Sequence, residues 1–96
     1  MTLQISEMRY IIRYMQHYTY RIIIEPDDGG TFHAYVPSLP GCHTWGDSWE
    51  EARVNVKDAM RVYLTSLVAD NETVPEERGV EAFETITHHE LQPIHP

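Results

Sequence analysis

Carboxylates at three positions of this 96-residue chain could together hold a divalent metal ion. Glu25, Asp47 and Glu51 are the candidates, because metal-dependent nucleases bind Mg²⁺ through several carboxylates that converge from strands and a helix. Glu51 is better explained by a helix cap, and no carboxylate lies centrally in the strands predicted between residues 22 and 36. We therefore expect no metal site and no nuclease activity.

A thiol and two imidazoles form a second group with possible chemistry. The spacing of His33, Cys42 and His43 across a proline-rich connection matches no recurrent pattern of transition-metal ligands. Cys42 and His43 are neighbours on a predicted strand, so their side chains point to opposite faces and cannot form a nucleophile and base pair. The sequence predicts no catalytic residue, no cofactor and no enzymatic activity.

The acidic side chains are better candidates for binding a protein. Fifteen acidic residues against seven basic ones give a formal net charge of −8, which repels the phosphates of nucleic acids and favours a basic protein partner. Tryptophans near loops are common interface anchors. The predicted partner-binding residues are Glu25, Asp27, Asp28, Trp45, Asp47, Trp49 and Glu50.

Each of these residues also has a purely structural explanation. Asp27 and Asp28 suit a tight turn, and the stretch from Asp47 to Glu51 suits the start of a helix. Trp45 and Trp49 could close the end of a hydrophobic core. The structural and the functional interpretation can hold together, and the sequence leaves both open.

The elements that position these residues follow from local patterns, and a chain of this length holds one core. Residues 19–25 are rich in β-branched and aromatic side chains, and the turn-forming run 26–30 separates them from a return strand over residues 31–36. That strand alternates, with Phe32, Ala34 and Val36 on one face and Thr31, His33 and Tyr35 on the other. A rigid connection over residues 37–41 leads to a short third strand over residues 42–45.

A long amphipathic helix is predicted next. Ser48 lies three residues before Glu51, which is the spacing of a capping box, and Asp70 with Asn71 ends the helix. After it, residues 80–87 are predicted to form a final strand. The apolar stripe of the helix spans about four turns and consists of Ala52, Val56, Ala59, Met60, Tyr63, Leu64 and Leu67.

A separate helix is predicted near the amino terminus, over residues 3–17. Its Ile5, Met8, Ile12 and Met15 follow a 3-4-3 spacing that lines one helical face. This face either packs on the core of its own chain or meets a second copy. For the second possibility, these four residues are the predicted oligomer interface.

Composition also bears on where the protein works. No run approaches the roughly 18 apolar residues that a membrane span needs. The single cysteine cannot form an intrachain disulfide, and the first residues lack the basic start and apolar stretch of a secretory signal. We therefore expect no membrane association and a cytoplasmic location.

The order of the motifs adds a family resemblance. Its most specific parts are Asp28-Gly29-Gly30, the run from Val36 to Cys42 (VPSLPGC), Gly46-Asp47-Ser48 and Glu50-Glu51-Ala52. In this order the chain resembles the HicB antitoxin family over about residues 19–87. The resemblance implies an α+β fold similar to a truncated ribonuclease H domain: an antiparallel sheet of three or four strands with one long helix packed across it, plus the amino-terminal helix. Residues 1–18 are then a helical extension, residues 19–87 a HicB-like domain and residues 88–96 a flexible tail.

The resemblance also implies a function. HicB proteins neutralise a small basic toxin, HicA, that cleaves messenger RNA, so this chain is expected to bind such a toxin and occlude it. Many members also carry a carboxy-terminal DNA-binding segment. Beyond Pro75 this chain has one basic side chain, Arg78, so we expect no DNA binding of its own. We expect a homodimer or homotetramer; the alternative is a self-associating HicB-like domain of structural or regulatory role without a toxin partner.

Overall fold

Three antiparallel strands and one long helix form the core of the fold, and a second helix precedes them. The computed structural model describes residues 2–91 and 93. The sheet has the order β1-β2-β3, so each strand pairs with the next along the chain. The α+β class predicted from sequence is confirmed. The elements are α1 (Ile5–Tyr14), β1 (Ile23–Pro26), β2 (Phe32–Tyr35), β3 (His43–Gly46), α2 (Trp49–Ala69) and a 3-10 helix (His88–Glu90).

The connection between β1 and β2 is the predicted acidic turn. The Asp27 N–H donates to the Thr31 carbonyl at 2.8 Å. Gly29 and Gly30 have φ angles of 86° and 85°, which lie in the left-handed region that glycine adopts without steric cost. The turn fixes the register of the hairpin, in which Ile24 lies opposite Ala34.

The proline-rich connection between β2 and β3 contributes to the core. It folds into consecutive tight turns in which the Leu39 N–H donates to the Val36 carbonyl and the Cys42 N–H donates to the Leu39 carbonyl, both at 3.0 Å. The Leu39 side chain is fully buried together with Val36 and Cys42. The predicted rigid connection therefore also supplies an apolar side chain that holds the sheet and α2 together.

Helix α2 covers one face of the sheet and begins where the sequence predicts. The Glu51 N–H donates to Ser48 Oγ at 3.1 Å. The Glu51 carboxylate accepts from the Asp47 N–H at 3.2 Å, one residue before the partner of an ideal capping box. Of the predicted stripe, Ala52 and Val56 are fully buried, and the later members are half-buried.

A close approach between β3 and α2 explains the glycine at position 46. A Cβ atom there would lie 2.4 Å from the backbone nitrogen of Ala52 and 2.8 Å from its Cα. These distances are far inside van der Waals contact, so only glycine lets the end of β3 lie this close to the first turn of α2.

The predicted final strand over residues 80–87 is wrong. These residues have no regular secondary structure, are exposed and belong to no strand of the sheet. Their composition favours a strand, but a strand also needs a neighbour for its backbone hydrogen bonds, and none lies beside them. The sheet therefore has three strands within the described part of the chain.

Helix α1 is shorter than the predicted range 3–17 and is detached from the core. It starts after Gln4, whose N–H donates to the Glu7 carboxylate at 3.2 Å. Within residues 2–91 and 93, α1 makes no contact with the sheet or with α2. All its residues are exposed, so its apolar face does not pack on the core of its own chain.

The predicted tail over residues 88–96 lies partly outside the described residues. Its first three residues form the single turn of 3-10 helix, in which the Glu90 N–H donates to the Thr87 carbonyl at 3.0 Å. None of the helices in the described part of the chain is both long and apolar enough to cross a membrane.

Candidate partner-binding face

The face of the sheet opposite α2 carries a row of aromatic side chains. Because side chains alternate along a strand, burying Ala34 and Phe32 toward the helix turns His33 and Tyr35 outward. The register places His33 opposite both Glu25 of β1 and Trp45 of β3, and Tyr35 opposite His43. We call Glu25, His33, Tyr35, His43 and Trp45 the outer face.

His33 is the centre of this outer face. Its ring centroid lies 5.5 Å from that of Tyr35, 5.5 Å from that of His43 and 5.0 Å from that of Trp45. The His43 and Trp45 rings meet edge to face at 5.1 Å. These separations are typical of favourable aromatic pairs, so the four rings form one preorganised cluster.

Two carboxylates hold the polar ends of this cluster. The Trp45 Nε1–H donates to the Asp27 carboxylate at 3.1 Å, and the Tyr35 hydroxyl donates to the Glu25 carboxylate at 3.4 Å. Asp27 and Glu25 are both exposed, and each keeps oxygen lone pairs free for a further donor. The arrangement joins exposed aromatic surface to negative charge.

Such a surface suits a cationic side chain from a partner. An arginine or lysine can lie over a ring face while its charge meets a carboxylate, a combination that cation–π attraction and charge-assisted hydrogen bonds both favour. Trp45 is 49% exposed, and no element of the described chain covers this face. The outer face therefore has the chemistry of a protein-binding surface.

The remaining predicted partner-binding residues lie apart from these rings. Asp28 is exposed within the β1–β2 turn, and Asp47, Trp49 and Glu50 are exposed at the start of α2. In the described part of the chain, no hydrogen bond or ring contact joins these four residues to the outer face. The structure thus brings together Glu25, Asp27 and Trp45 of the predicted set. The Asp28 N–H donates to the Asp27 carboxylate at 2.9 Å, whereas Asp47, Trp49 and Glu50 form a separate group.

His33, Tyr35 and His43 were not among the partner-binding residues predicted from sequence. The available signal was the alternation of His33 with Tyr35 and of His43 with Trp45, in two segments that a short connection joins. The sequence does not state the register that brings these segments side by side.

The structure also bears on the thiol nucleophile and the metal site that were considered from sequence. Cys42 is buried, and burial raises the pKa of its thiol, which disfavours a thiolate nucleophile. Among residues 2–91 and 93, no three His, Cys, Asp or Glu side chains are grouped so that they could hold a metal ion.

The predicted oligomer interface lies on α1. Ile5, Met8, Ile12 and Met15 are 69%, 48%, 67% and 67% exposed. The structure therefore leaves this apolar face open, and its use as an interface stays a prediction.

Sequence comparison identifies the fold. Residues 20–92 match the family model described as a HicB-like antitoxin of a bacterial toxin-antitoxin system. The chain belongs to the HicB-like antitoxin family. The HicB-like region begins after α1 and contains the whole outer face.

Relatives and a solved structure agree with this assignment. A UPF0150 protein of Synechocystis sp. is 42% identical over 62 residues, which cover 65% of this chain and 78% of that protein. A UPF0150 protein of Thermoplasma acidophilum is also 42% identical over 62 residues, covering 65% of this chain and 90% of that protein. The crystal structure of the N-terminal domain of Burkholderia pseudomallei antitoxin HicB superposes with a TM-score of 0.52 at 30% identity, covering 73% of this chain and 74% of that one.

A junction in the HicB-like domain was missed by the sequence reasoning. The Glu77 carboxylate accepts from the Arg21 N–H at 2.8 Å, the Gly79 N–H at 2.8 Å and the Ser38 hydroxyl at 2.9 Å. The backbone N–H groups of Gly79 and Arg21, with the Ser38 hydroxyl, lower the pKa of Glu77. Nearby, the Tyr20 hydroxyl donates to the Pro75 carbonyl. The chain after α2 is thereby tied to the start of β1.

Proposed function

We propose that this protein is an antitoxin-type module that binds a small basic HicA-like toxin, which cleaves messenger RNA, and neutralises it by occlusion. The observation that supports this most is the outer face with the adjoining Asp27. Four clustered aromatic rings and two carboxylates lie there on one side of a HicB-like sheet, and His43, Trp45 and both carboxylates are exposed. The proposed mechanism needs no covalent chemistry, because covering the RNA-binding surface of a toxin is sufficient to block it.

The outer face fits a basic partner for two physical reasons. Its rings offer large apolar area with little loss of side-chain entropy on binding, and Trp and Tyr are enriched among residues that dominate binding energy. Its carboxylates, together with the net charge of −8, attract a basic protein before contact and select against acidic ones. In this proposal Trp45 is the anchor and Asp27 orients its indole ring.

The acidic start of α2 is the second proposed contact region. Asp47, Trp49 and Glu50 add exposed negative charge and a second exposed indole, and Asp28 in the β1–β2 turn adds further exposed negative charge. We propose that these residues contribute mainly to the rate of encounter, since no carboxylate is hydrogen-bonded to the Trp49 indole within the described residues.

Further parts of the proposal follow from the family. We propose that the chain acts in the cytoplasm without binding DNA itself, and that residues 19–87 are the functional domain between a helical extension and a tail. The ribonuclease-H-like outline is also a proposal. It is supported by the antiparallel sheet with one long helix across a face.

The two tryptophans allow a matched test. Trp45 and Trp49 are both 49% exposed, so replacing either by alanine removes a similar indole from water-accessible surface. Against a HicA-like toxin encoded beside this gene, Trp45→Ala should weaken binding by at least roughly thirtyfold, as expected for an aromatic anchor. Trp49→Ala should weaken it by less than about threefold, since a peripheral side chain contributes little.

Isothermal titration with an inactive toxin variant measures both changes, and circular dichroism checks that each variant is folded. Rescue of growth in cells that express the active toxin should follow the same order. Absence of binding at low salt would refute the antitoxin proposal. Equal losses from both tryptophans would place the contact elsewhere on the domain.

A second candidate function is a self-associating HicB-like domain without a toxin partner. The observation that favours it is the exposed apolar face of α1, which packs against no other helix or strand within the described residues. The two functions are compatible, because the outer face and α1 share no residue.

A further inference from the structure

At the β1 edge of the sheet, backbone groups are unpaired within the described residues. The Asp27 N–H donates to Thr31, and in an antiparallel pair every second residue makes such bonds. The odd-numbered residues of β1 therefore face β2, while the N–H and C=O groups of Ile22 and Ile24 point away from the sheet. Within residues 2–91 and 93, no hydrogen bond reaches these groups.

The opposite edge of the sheet is formed by β3, which contacts α2. There the Asn55 side chain donates to the Trp45 carbonyl at 2.8 Å, so α2 satisfies an outward-pointing group of β3. Open strand edges readily pair with another strand. The β1 edge is therefore an open edge at which this sheet can be extended.

A groove of about 330 Å³ lies beside the β1 edge, between that edge and α2. Its apolar wall includes Ile22, Val56 and Met60, and Arg53 with Lys57 supplies positive charge. A strand added to β1 would direct every second side chain into this groove. The groove thus suits a strand with an apolar face that also carries a carboxylate.

Residues 80–87 of the chain match this description. In a strand conformation, alternation would put Val80, Ala82, Glu84 and Ile86 on one face of the segment, which gives three apolar side chains and one carboxylate. Val80 and Ile86 are 86% and 63% exposed. The same alternation that predicts a strand here therefore has a suitable site on the domain, although the segment does not occupy it within one chain.

The exposure of residues 80–87 favours a second copy as the partner. Glu77 binds the Arg21 and Gly79 N–H groups, yet every residue from 80 to 87 beyond this tether is exposed and belongs to no strand, so the segment does not occupy the edge of its own chain. A second copy offers an identical edge with the same basic groove. A two-fold arrangement also satisfies both edges at once.

We propose that two copies of this chain exchange residues 80–87, each segment adding as a fourth strand to the β1 edge of the other copy. Glu84 of one copy lies against Lys57 and Arg53 of the other. The assembly completes both sheets and leaves the outer face of each copy open.

Charge reversal on the two sides of this contact tests the exchange. Lys57→Glu opposes Glu84 in a dimer of that variant, and Glu84→Lys opposes Lys57 and Arg53 in a dimer of the other. Each homodimer should weaken by roughly tenfold. Mixing the two variants restores an opposite-charge pair at both edges, so the heterodimer should form more than about nine-tenths of all dimers instead of the roughly one-half that random pairing gives.

Native mass spectrometry of equal mixtures of the full chains counts the heterodimer directly. A control mixture carries charge changes of the same size at residues that do not line the groove, Arg61→Glu in one chain and Glu72→Lys in the other, and should give random pairing. A random fraction for the Lys57→Glu and Glu84→Lys mixture, or the absence of any dimer of the unmodified chain, would overturn the proposal. The first result would place the segment on its own chain or the contact on α1.

Discussion

The contact between β3 and α2 gives a stability prediction for Gly46. In Gly46→Ala, the new methyl group would lie 2.4 Å from the Ala52 nitrogen and 2.9 Å from the Glu51 carbonyl carbon. These are backbone atoms of a capped helix, so relief requires α2 to move away from the sheet. Overpacking of this kind costs about 1–3 kcal/mol.

One smaller effect adjusts this magnitude. Replacing glycine by alanine stabilises by about 0.4–1 kcal/mol through the unfolded chain, so the net loss should be about 1–2 kcal/mol. For a domain of this size, that loss lowers the thermal midpoint by roughly 5–15 °C. Because Trp45 precedes Gly46 and the Asn55 amide binds its carbonyl, the same shift should also disturb the outer face.

Gly79→Ala is a matched control for Gly46→Ala. A Cβ at Gly79 would meet Arg21 Nη2 at 2.5 Å, almost the same distance as at Gly46. That atom ends a flexible side chain that can move aside, so the stability should change by less than about 0.5 kcal/mol. Urea unfolding followed by tryptophan fluorescence measures both variants. Similar losses for Gly46→Ala and Gly79→Ala would refute the reasoning that backbone contact sets the cost.

Two further predictions concern Glu77 and the amino-terminal residues 2–17. The lowered pKa of Glu77 means that its hydrogen bonds stabilise the fold fully above its ordinary value of 4.5 and are lost as the pH falls through the lower folded value. The stability difference between the unmodified chain and Glu77→Gln should therefore be constant from pH 7 to about 5 and shrink on further acidification, as urea midpoints will show; a difference that grows would contradict this. Deletion of residues 2–17 should leave the unfolding free energy of the domain within about 0.5 kcal/mol, because α1 does not contact the core. The same deletion should raise the dissociation constant for self-association by roughly tenfold if Ile5, Met8, Ile12 and Met15 add to the interface. Sedimentation that shows an unchanged constant would remove these four residues from the interface.

Helix α2 and the β1–β2 turn could be predicted from sequence because their signals are local. Ser48 caps the helix within three residues of its own position, and Gly29 with Gly30 supplies the backbone angles of the turn. Neither feature depends on the rest of the fold. The burial of Ala52 and Val56 follows from the same helical spacing.

The outer face could be predicted only in part, because it depends on register. Glu25 and Trp45 were expected at a binding surface, but His33 lies between them only through the pairing of β2 with both neighbours. That pairing follows from the β1–β2 turn and from the β2–β3 connection, which the buried Leu39 holds in place. A sequence shows which face each side chain prefers and not which residue faces it across the ladder.

The segment 80–87 shows a different limit of sequence reasoning. Its pattern predicts a strand, but a strand is a property of two segments, and the pattern does not name the second. In the proposed exchange, Ile22 and Ile24 of another copy supply that second segment.

This placement separates two kinds of binding on one small domain. The outer face is formed by side chains that point away from α2, whereas the proposed exchange uses backbone groups of Ile22 and Ile24 at the β1 edge and a groove on the α2 side. The two surfaces share no residue, so pairing of two copies does not cover Trp45 or His33. Two outer faces in one assembly would then let a dimer hold two basic partners at once, and linked binding of this kind strengthens attachment to any target that presents both partners together.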